Sequence, residues 1–420
     1  MTSRSPCFPI KKAVSLLLSG VVCLSFLAQP AAPAFAQDNT PTPEPASDPT
    51  EEVTTAPVFE PQPAAGPRFR AYQDIVLDYI HMVSQTEGWS LSGQTVLTTV
   101  NAGLTWHEAS PPETIPDGSA AVPYATFLDK NTAWVIYAID GKIDPAASVW
   151  STVNGGLTWT QSIPLNHQAY GDKLWAEFNA LDANTLWMMV RGMYVGAGTH
   201  YNHNLFRSLD GGLTWEFLPS EFSDDYTGMD FADVLFGVRT LQTARMYAPS
   251  PPAYEITEDG GATWQLFELP PPPLDPNLFD HYPNCETYQP VALTNESYRM
   301  IVACFDNFDP PQRYEGYFYS SRNGGKTWLF GKLPQQSRPD TAQLAYFDTE
   351  NVFLLGKHSF QSSDNGMKWS YLKVVNWDGQ FSFPDPQHGF AIARLMGGVS
   401  LVKTTDRAAT WKIVLPRVVR

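Results

Sequence analysis

Three arginines, Arg191, Arg239 and Arg394, each end an apolar run that reads as a β-strand. Three guanidinium forks converging on one ligand would clamp a carboxylate through paired, charge-assisted hydrogen bonds. Tyr314 and Glu315 supply a phenol and a carboxylate of the kind that supports attack on a glycosidic carbon, yet neighbours along a strand point to opposite faces. His200 and His203 offer two imidazoles beside Tyr194, but a metal site needs a third ligand and none stands near in sequence, so no metal or cofactor is assigned. The acids Asp224, Asp225, Asp230 and Asp233, and Asp306 with Asp309, have calcium-type oxygen chemistry; in a chain this acidic, solvated loop acids are the commoner reading. No Ser-His-Asp order and no phosphate-cradling glycine loop is present.

The elements that must position these residues repeat. Seven copies of Ser/Thr-x-Asp/Asn-x-Gly-x-Thr-Trp end at Trp106, Trp159, Trp215, Trp264, Trp328, Trp369 and Trp411, at intervals of 41 to 64 residues. That period belongs to propeller blades. The third position is Asn101, Asn154, Asp210, Asp259, Asn323, Asp364 or Asp406, whose side-chain oxygen can accept backbone N–H groups two or three residues on and close a tight turn. The fifth position is glycine in six copies and Ala408 in the seventh, as suits a residue with positive φ. These acids read as turn staples, not as catalytic groups. A second landmark recurs five residues ahead of an aromatic: Ser84 before Trp89, Asp129 before Trp134, Asp182 before Trp187, Asp348 before Phe353 and Asp385 before Phe390. It marks the hairpin between the first two strands of a blade.

The repeat resembles the Asp-box, or bacterial neuraminidase repeat, over almost all of residues 69 to 420. The resemblance implies an all-β, seven-bladed propeller of four-stranded antiparallel blades, with the box in the turn between the third and fourth strands, c and d, remote from the binding face. The chain looks most like the photosystem II stability and assembly factor family, whose members are non-enzymatic scaffolds, although the basic arginine patch of that family contrasts with this acidic chain. Likeness to sialidases is more distant: their Phe-Arg-Ile-Pro element is missing, and Arg68-Phe-Arg-Ala-Tyr72 departs from it at the last two positions.

Residues 1–36 read as a secretory signal peptide, with Arg4, Lys11 and Lys12 ahead of an apolar run from Ala13 to Ala28 and Ala34-Phe35-Ala36 at the cleavage site. Residues 37–66 hold six carboxylates and no Lys or Arg, and read as a disordered Pro/Thr/acid-rich linker. The propeller is expected over 67–420. An exported, extracellular, periplasmic or surface-associated protein follows, with no integral membrane segment after cleavage and a monomer as the expected state. Without the leader, 24 basic side chains face 43 acidic ones, which excludes a phosphate backbone as partner. Cys285 and Cys304 stand in one blade as a local disulfide or as two buried thiols.

If the boxes join strands c and d, the loops from strand b to c and from d to the next strand a share the opposite face, and long loops on a rigid scaffold are where binding usually lives. The stretches 192–203, 241–247 and 306–314 are the expected b–c loops, and 270–288 is a long proline-rich connection. The binding candidates are therefore Arg191, Tyr194, His200, His203, Arg239, Arg245, Tyr247, Arg313, Tyr314 and Arg394. The function expected is an exported, non-catalytic binding scaffold for a protein or glycan, with a sialidase-type glycosidase or carbohydrate-binding propeller as the alternative. One closing alternative is open as well: residues 68 to 80 could donate a strand to the final blade.

Overall fold

Runs such as Ala133–Ile139 are apolar at almost every position because both faces of the sheet are covered, and six of its seven residues are buried. A computed structural model describes residues 57–166, 173–195, 200–219, 225–242, 251–282, 284–306, 314–337, 342–395 and 397–420. The strands form seven sheets, five of four strands and two of five. Each is one blade, with four strands a to d paired antiparallel in chain order from the innermost strand a outward, a fifth strand lying outside two of them, and the whole is a seven-bladed β-propeller. Blade two is typical: Ala121–Phe127, Ala133–Ile139, Trp150–Thr152 and Thr158–Gln161.

Two turns at one end of each blade explain why the chain folds back where it does. In the a–b turn, Asp129 accepts from the N–H of Asn131 and Thr132 at 2.7 and 2.8 Å. The same closure recurs at Ser84, Asp182, Asp348 and Asp385. It also recurs at Asp233 and Thr294, where Val238 and Arg299 stand in place of the aromatic. In the c–d turn, Asp210 accepts from the N–H of Leu213 and Thr214, three and four residues on, one step further than the expected two or three. Both central residues of that turn are left-handed: Gly211 at φ 76° and Gly212 at 87°, and likewise Arg407 at 58° and Ala408 at 63°. A Cβ on Gly212 would stand 2.7 Å from the Trp134 ring of the preceding blade, so glycine there serves the packing of one blade on the next.

Strands claim more of the expected loops than their composition suggests. Leu186–Val195 and His200–Ser208 form one long hairpin, with Arg191 opposite His203 and Val195 opposite His200. Leu241 and Tyr314 likewise belong to strands. The run 270–288 contains a single helical turn, Leu278–His281, and the start of strand a of blade five, Asn284–Ala292. Cys285 and Cys304 are register partners there, both buried and joined as a disulfide.

Neighbouring blades are tied along the channel by side chains of strand a. Asn179 of blade three donates to Asp230 of blade four at 3.0 Å, and Asp230 accepts from Ala292 N–H of blade five at 2.7 Å. Gln289 of blade five accepts from Leu344 N–H at 3.0 Å, and Gln343 of blade six accepts from Phe381 N–H at 2.7 Å. Blade seven reaches blade one through Gln380, which accepts from Ile80 N–H at 2.8 Å and donates to Ile80 C=O at 2.9 Å, and through Ser382, which accepts from Met82 N–H at 2.8 Å.

The ring closes without strand exchange inside a blade. Tyr79–Met82 is the innermost strand of blade one, not a strand of the final blade, and Lys412–Val414 completes blade seven from its own stretch of chain. Arg417–Val418 then pairs parallel to Thr105–Trp106 outside blade one, while Gln62–Pro63 pairs outside blade two. Replacing Gln380 by alanine strips both backbone groups of Ile80 of their side-chain partner. We expect it to cost about 1–3 kcal/mol, read as a fall in urea midpoint at unchanged slope.

Candidate functional site

The end of the propeller that carries the c–d turns is chemically self-contained. Asp406 accepts from the Thr410 hydroxyl and N–H at 2.6 and 2.8 Å and from the Thr404 hydroxyl at 2.7 Å. These bonds hold its carboxyl down at about 2. Asp210 and Asp259 make the same set of contacts, with the lone pairs spent on the turn itself. The indoles of Trp106, Trp215 and Trp264 each donate to the carbonyl of their own turn glycine at 3.0–3.1 Å. A small pocket of about 230 Å³ beside the Lys130–Glu87 ion pair opens on this side.

Two larger pockets open on the opposite face. One, of about 670 Å³, sits at blade two between the b–c segment and the connection from blade one. Asp140 and Gly141, both at positive φ, make a tight turn in which Ile139 and Lys142 exchange backbone hydrogen bonds, as the Asp-Gly pair favours. The Asp140 carboxylate accepts from Ala120 N–H and the Ser119 hydroxyl, which lowers its pKa and fixes the rim. Ile139, Ile143, Pro116 and Pro145 form its apolar wall, and Glu113, Tyr137 and Lys142 its polar groups. Trp150 anchors Glu113 through its indole N–H at 2.6 Å. The other pocket, of about 540 Å³, is lined by Lys357, His358, Asp378 and Arg394 of blades six and seven.

A third feature is a set of ionisable groups between blades three and four. The Tyr226 hydroxyl donates to Glu177 at 2.9 Å, and the Tyr226 ring packs edge-on against His203. Arg239 is fully buried, ion-paired with Glu255 and stacked over Trp264 at 4.3 Å. Burial draws the Arg239 guanidinium below its usual range, and the Glu255 pairing opposes this. Glu177 keeps a little exposure, yet burial pushes its carboxyl up to about 7 against the Tyr226 hydrogen bond. Burial, and then the Glu177 charge, raise Tyr226.

The expected arginine clamp therefore does not form. Arg239 is committed inside the blade interface and lies on no face, because it is buried opposite Glu255 on the adjacent strand of its own blade and pairs with it. Arg394 lines the pocket at blades six and seven, and Arg191 is half-buried opposite His203. Tyr314 and Glu315 separate as expected: Tyr314 donates to the Gln335 carbonyl and Glu315 pairs with Lys332 at 2.7 Å. Asp230 and Asp233 have different partners, the first in the channel and the second in a turn. Tyr194 and His200 lie on placed strands but their side chains are outside the described set, as are Arg245, Tyr247 and Arg313 altogether. Lys357, His358 and Asp378 escaped the sequence reading because the first sits in a two-residue turn and the other two open short strands, with no repeat or loop length to mark them.

Fold and site together define a seven-bladed propeller with one self-stapled end and pockets at the other. No family model matches the chain, and no curated protein does. Among solved structures it is similar to YCF48 bound to D1 peptide, at 19% identity over 82% of this chain and 99% of that one, with a TM-score of 0.48. YCF48 from Cyanidioschyzon merolae is similar at 15% identity, over 81% and 100%, with a TM-score of 0.47. The α-L-arabinofuranosidase of Fusarium graminearum with arabinobiose follows at 13% identity, over 71% and 96%, with a TM-score of 0.42. At such identities the likeness is one of fold, and no ligand follows from it.

The raised Glu177 pKa has a direct thermodynamic reading. Its folded-state value lies above that of an unfolded glutamate, so its contribution to stability is complete below about pH 4.3 and is lost as pH rises to about 7. Glu177→Gln should be more stable than the parent by about 3–4 kcal/mol at pH 8 and equal to it near pH 4. Urea unfolding at both pH values checks this; equal differences at both would refute a neutral, buried Glu177.

Proposed function

We propose that this chain is an exported, non-catalytic propeller that binds a protein or glycan ligand on the face of the b–c and d–a loops. The observation that carries the reading is the division of polar groups: at one end they are consumed by turns, and at the other they line two open pockets. The box repeat, with its resemblance to the photosystem II stability and assembly factor family of non-enzymatic scaffolds, supports it. Export rests on the leader-like composition of residues 1–36. One observation favours a glycosidase instead: the Tyr226–Glu177 pair has the phenol and carboxylate that such chemistry uses. Against this, Tyr226 is 3% exposed and the neighbouring Arg239 is sealed by Glu255, so no substrate carboxylate reaches the guanidinium.

Two measurements separate the readings. Fluorogenic sialosides and arabinosides should be hydrolysed no faster by the protein than by buffer; turnover abolished by Tyr226→Phe would establish the glycosidase. Pro145→Arg, which places a charge at the exposed apolar wall of the blade-two pocket, should remove ligands captured from membrane and extracellular fractions. Capture unchanged by that variant would count against this face as the binding surface.

A further inference from the structure

We infer that the pocket between blades six and seven is an oxyanion site that takes a carboxylate or phosphate group through Lys357 and Arg394. This deepens the binding-propeller reading and depends on it for the use of the face. The chain carries 43 acidic side chains against 27 basic ones, and its general field repels anions. Here the balance inverts: Lys357 and Arg394, with His358, line about 540 Å³ in which Asp378 is the one carboxylate among the described residues. That volume lies in the usual range of small-ligand pockets, about 300–1,000 Å³.

The cations are held where a ligand can reach them. Between strands b and c of blade six only Gly356 and Lys357 intervene, so the lysine projects from the tip of a two-residue turn and is exposed. Ser359 braces that turn through its hydroxyl, which accepts from Gly356 N–H at 3.3 Å and donates to Gly356 C=O at 2.9 Å. Arg394 stands at the end of strand b of blade seven, in register with Asp378, and donates through one terminal nitrogen to the Asp78 carbonyl at 3.2 Å. That bond takes one of the five guanidinium donors and orients the rest of the fork, the arrangement that suits a planar carboxylate or a phosphate. Lys357 adds a point charge from the adjoining blade. Asp378 limits the net charge, so the site favours a single anionic group over a polyanion.

The test is calorimetric titration of the full chain at low ionic strength and at about 0.15 M. Probes are inorganic phosphate, acetate, and a short peptide with either a free or an amidated C-terminus. We expect binding of at least one free anion that weakens with salt and falls by about tenfold or more in Lys357→Glu and in Arg394→Gln. Preference for the free over the amidated peptide would identify a peptide carboxylate as the source, and phosphate binding without that preference a free phosphate. Because the Lys357 side chain is exposed and makes no hydrogen bond or ion pair among the described residues, its variant should fold with the parent melting temperature. Parent-like affinity for every anion in a folded Lys357→Glu protein, or no anion binding at all, overturns the proposal. Either result leaves ligand capture at the blade-two pocket as a separate outcome.

Discussion

A propeller has no core common to all its sheets, so its shape depends on the spacing between innermost strands. Here that spacing is set by hydrogen bonds from one strand a to the backbone of the next, through Asn179, Asp230, Gln289, Gln343 and Gln380. A side-chain amide or carboxylate of fixed reach measures each gap, and an unmade bond to a buried backbone group costs more than a made one gains. Between blades one and two the gap is filled by rings instead: Phe127 packs against Tyr79, His81 and Trp89. On the turn side a second set of ties runs from the indoles of Trp89, Trp134 and Trp187 to carbonyls of the following blade, and in blade five Arg299 does the same to Thr349. The pockets of the loop face inherit their rigidity from these two rings of contacts.

The same geometry explains why residues that look catalytic in isolation are structural in place. Each blade presses both of its faces on neighbours, so a charged residue at mid-strand has no solvent side to turn to. Arg239 must find a partner within the interface, and Glu255, opposite it on the adjacent strand, supplies one. Removing either partner would strand a buried charge, and such pairs are retained because breaking them is costly even where making them gains little. Glu177 solves the same problem differently, by giving up its charge near neutral pH and accepting the Tyr226 hydroxyl.

How far the sequence could be read follows from this packing. The c–d turns are local, written within eight residues, so blade number and the identity of the two faces were legible from Trp106 to Trp411. The a–b turns were legible where an aromatic followed and missed at Asp233 and Thr294, because Val238 and Arg299 fill the aromatic's place. The pairing of Cys285 with Cys304 stood as one of two readings and proved to be the bonded one. Site residues were much less legible. With both faces of each sheet buried, the alternation that normally separates inside from outside disappears. Nothing in the order of residues said that Arg239 faces Glu255 while Arg394 faces a pocket. Lys357 meets Arg394 only because blades six and seven are adjacent, a relation no local pattern encodes.

The placement of Arg417–Val418 has a consequence for how the molecule can be handled. Blade seven is finished before these residues begin, yet they cross to blade one and lie along its outer strand, while Arg417 also pairs with Asp74 at 2.8 Å. The last residues are thus a clasp over the seam where first and last blades meet, with Gln380 and Ser382 fastening the same seam from within. Sequence inserted between Val414 and Arg417 would work against that clasp, whereas the tip of a turn on a middle blade is a place where added sequence leaves the seam shut.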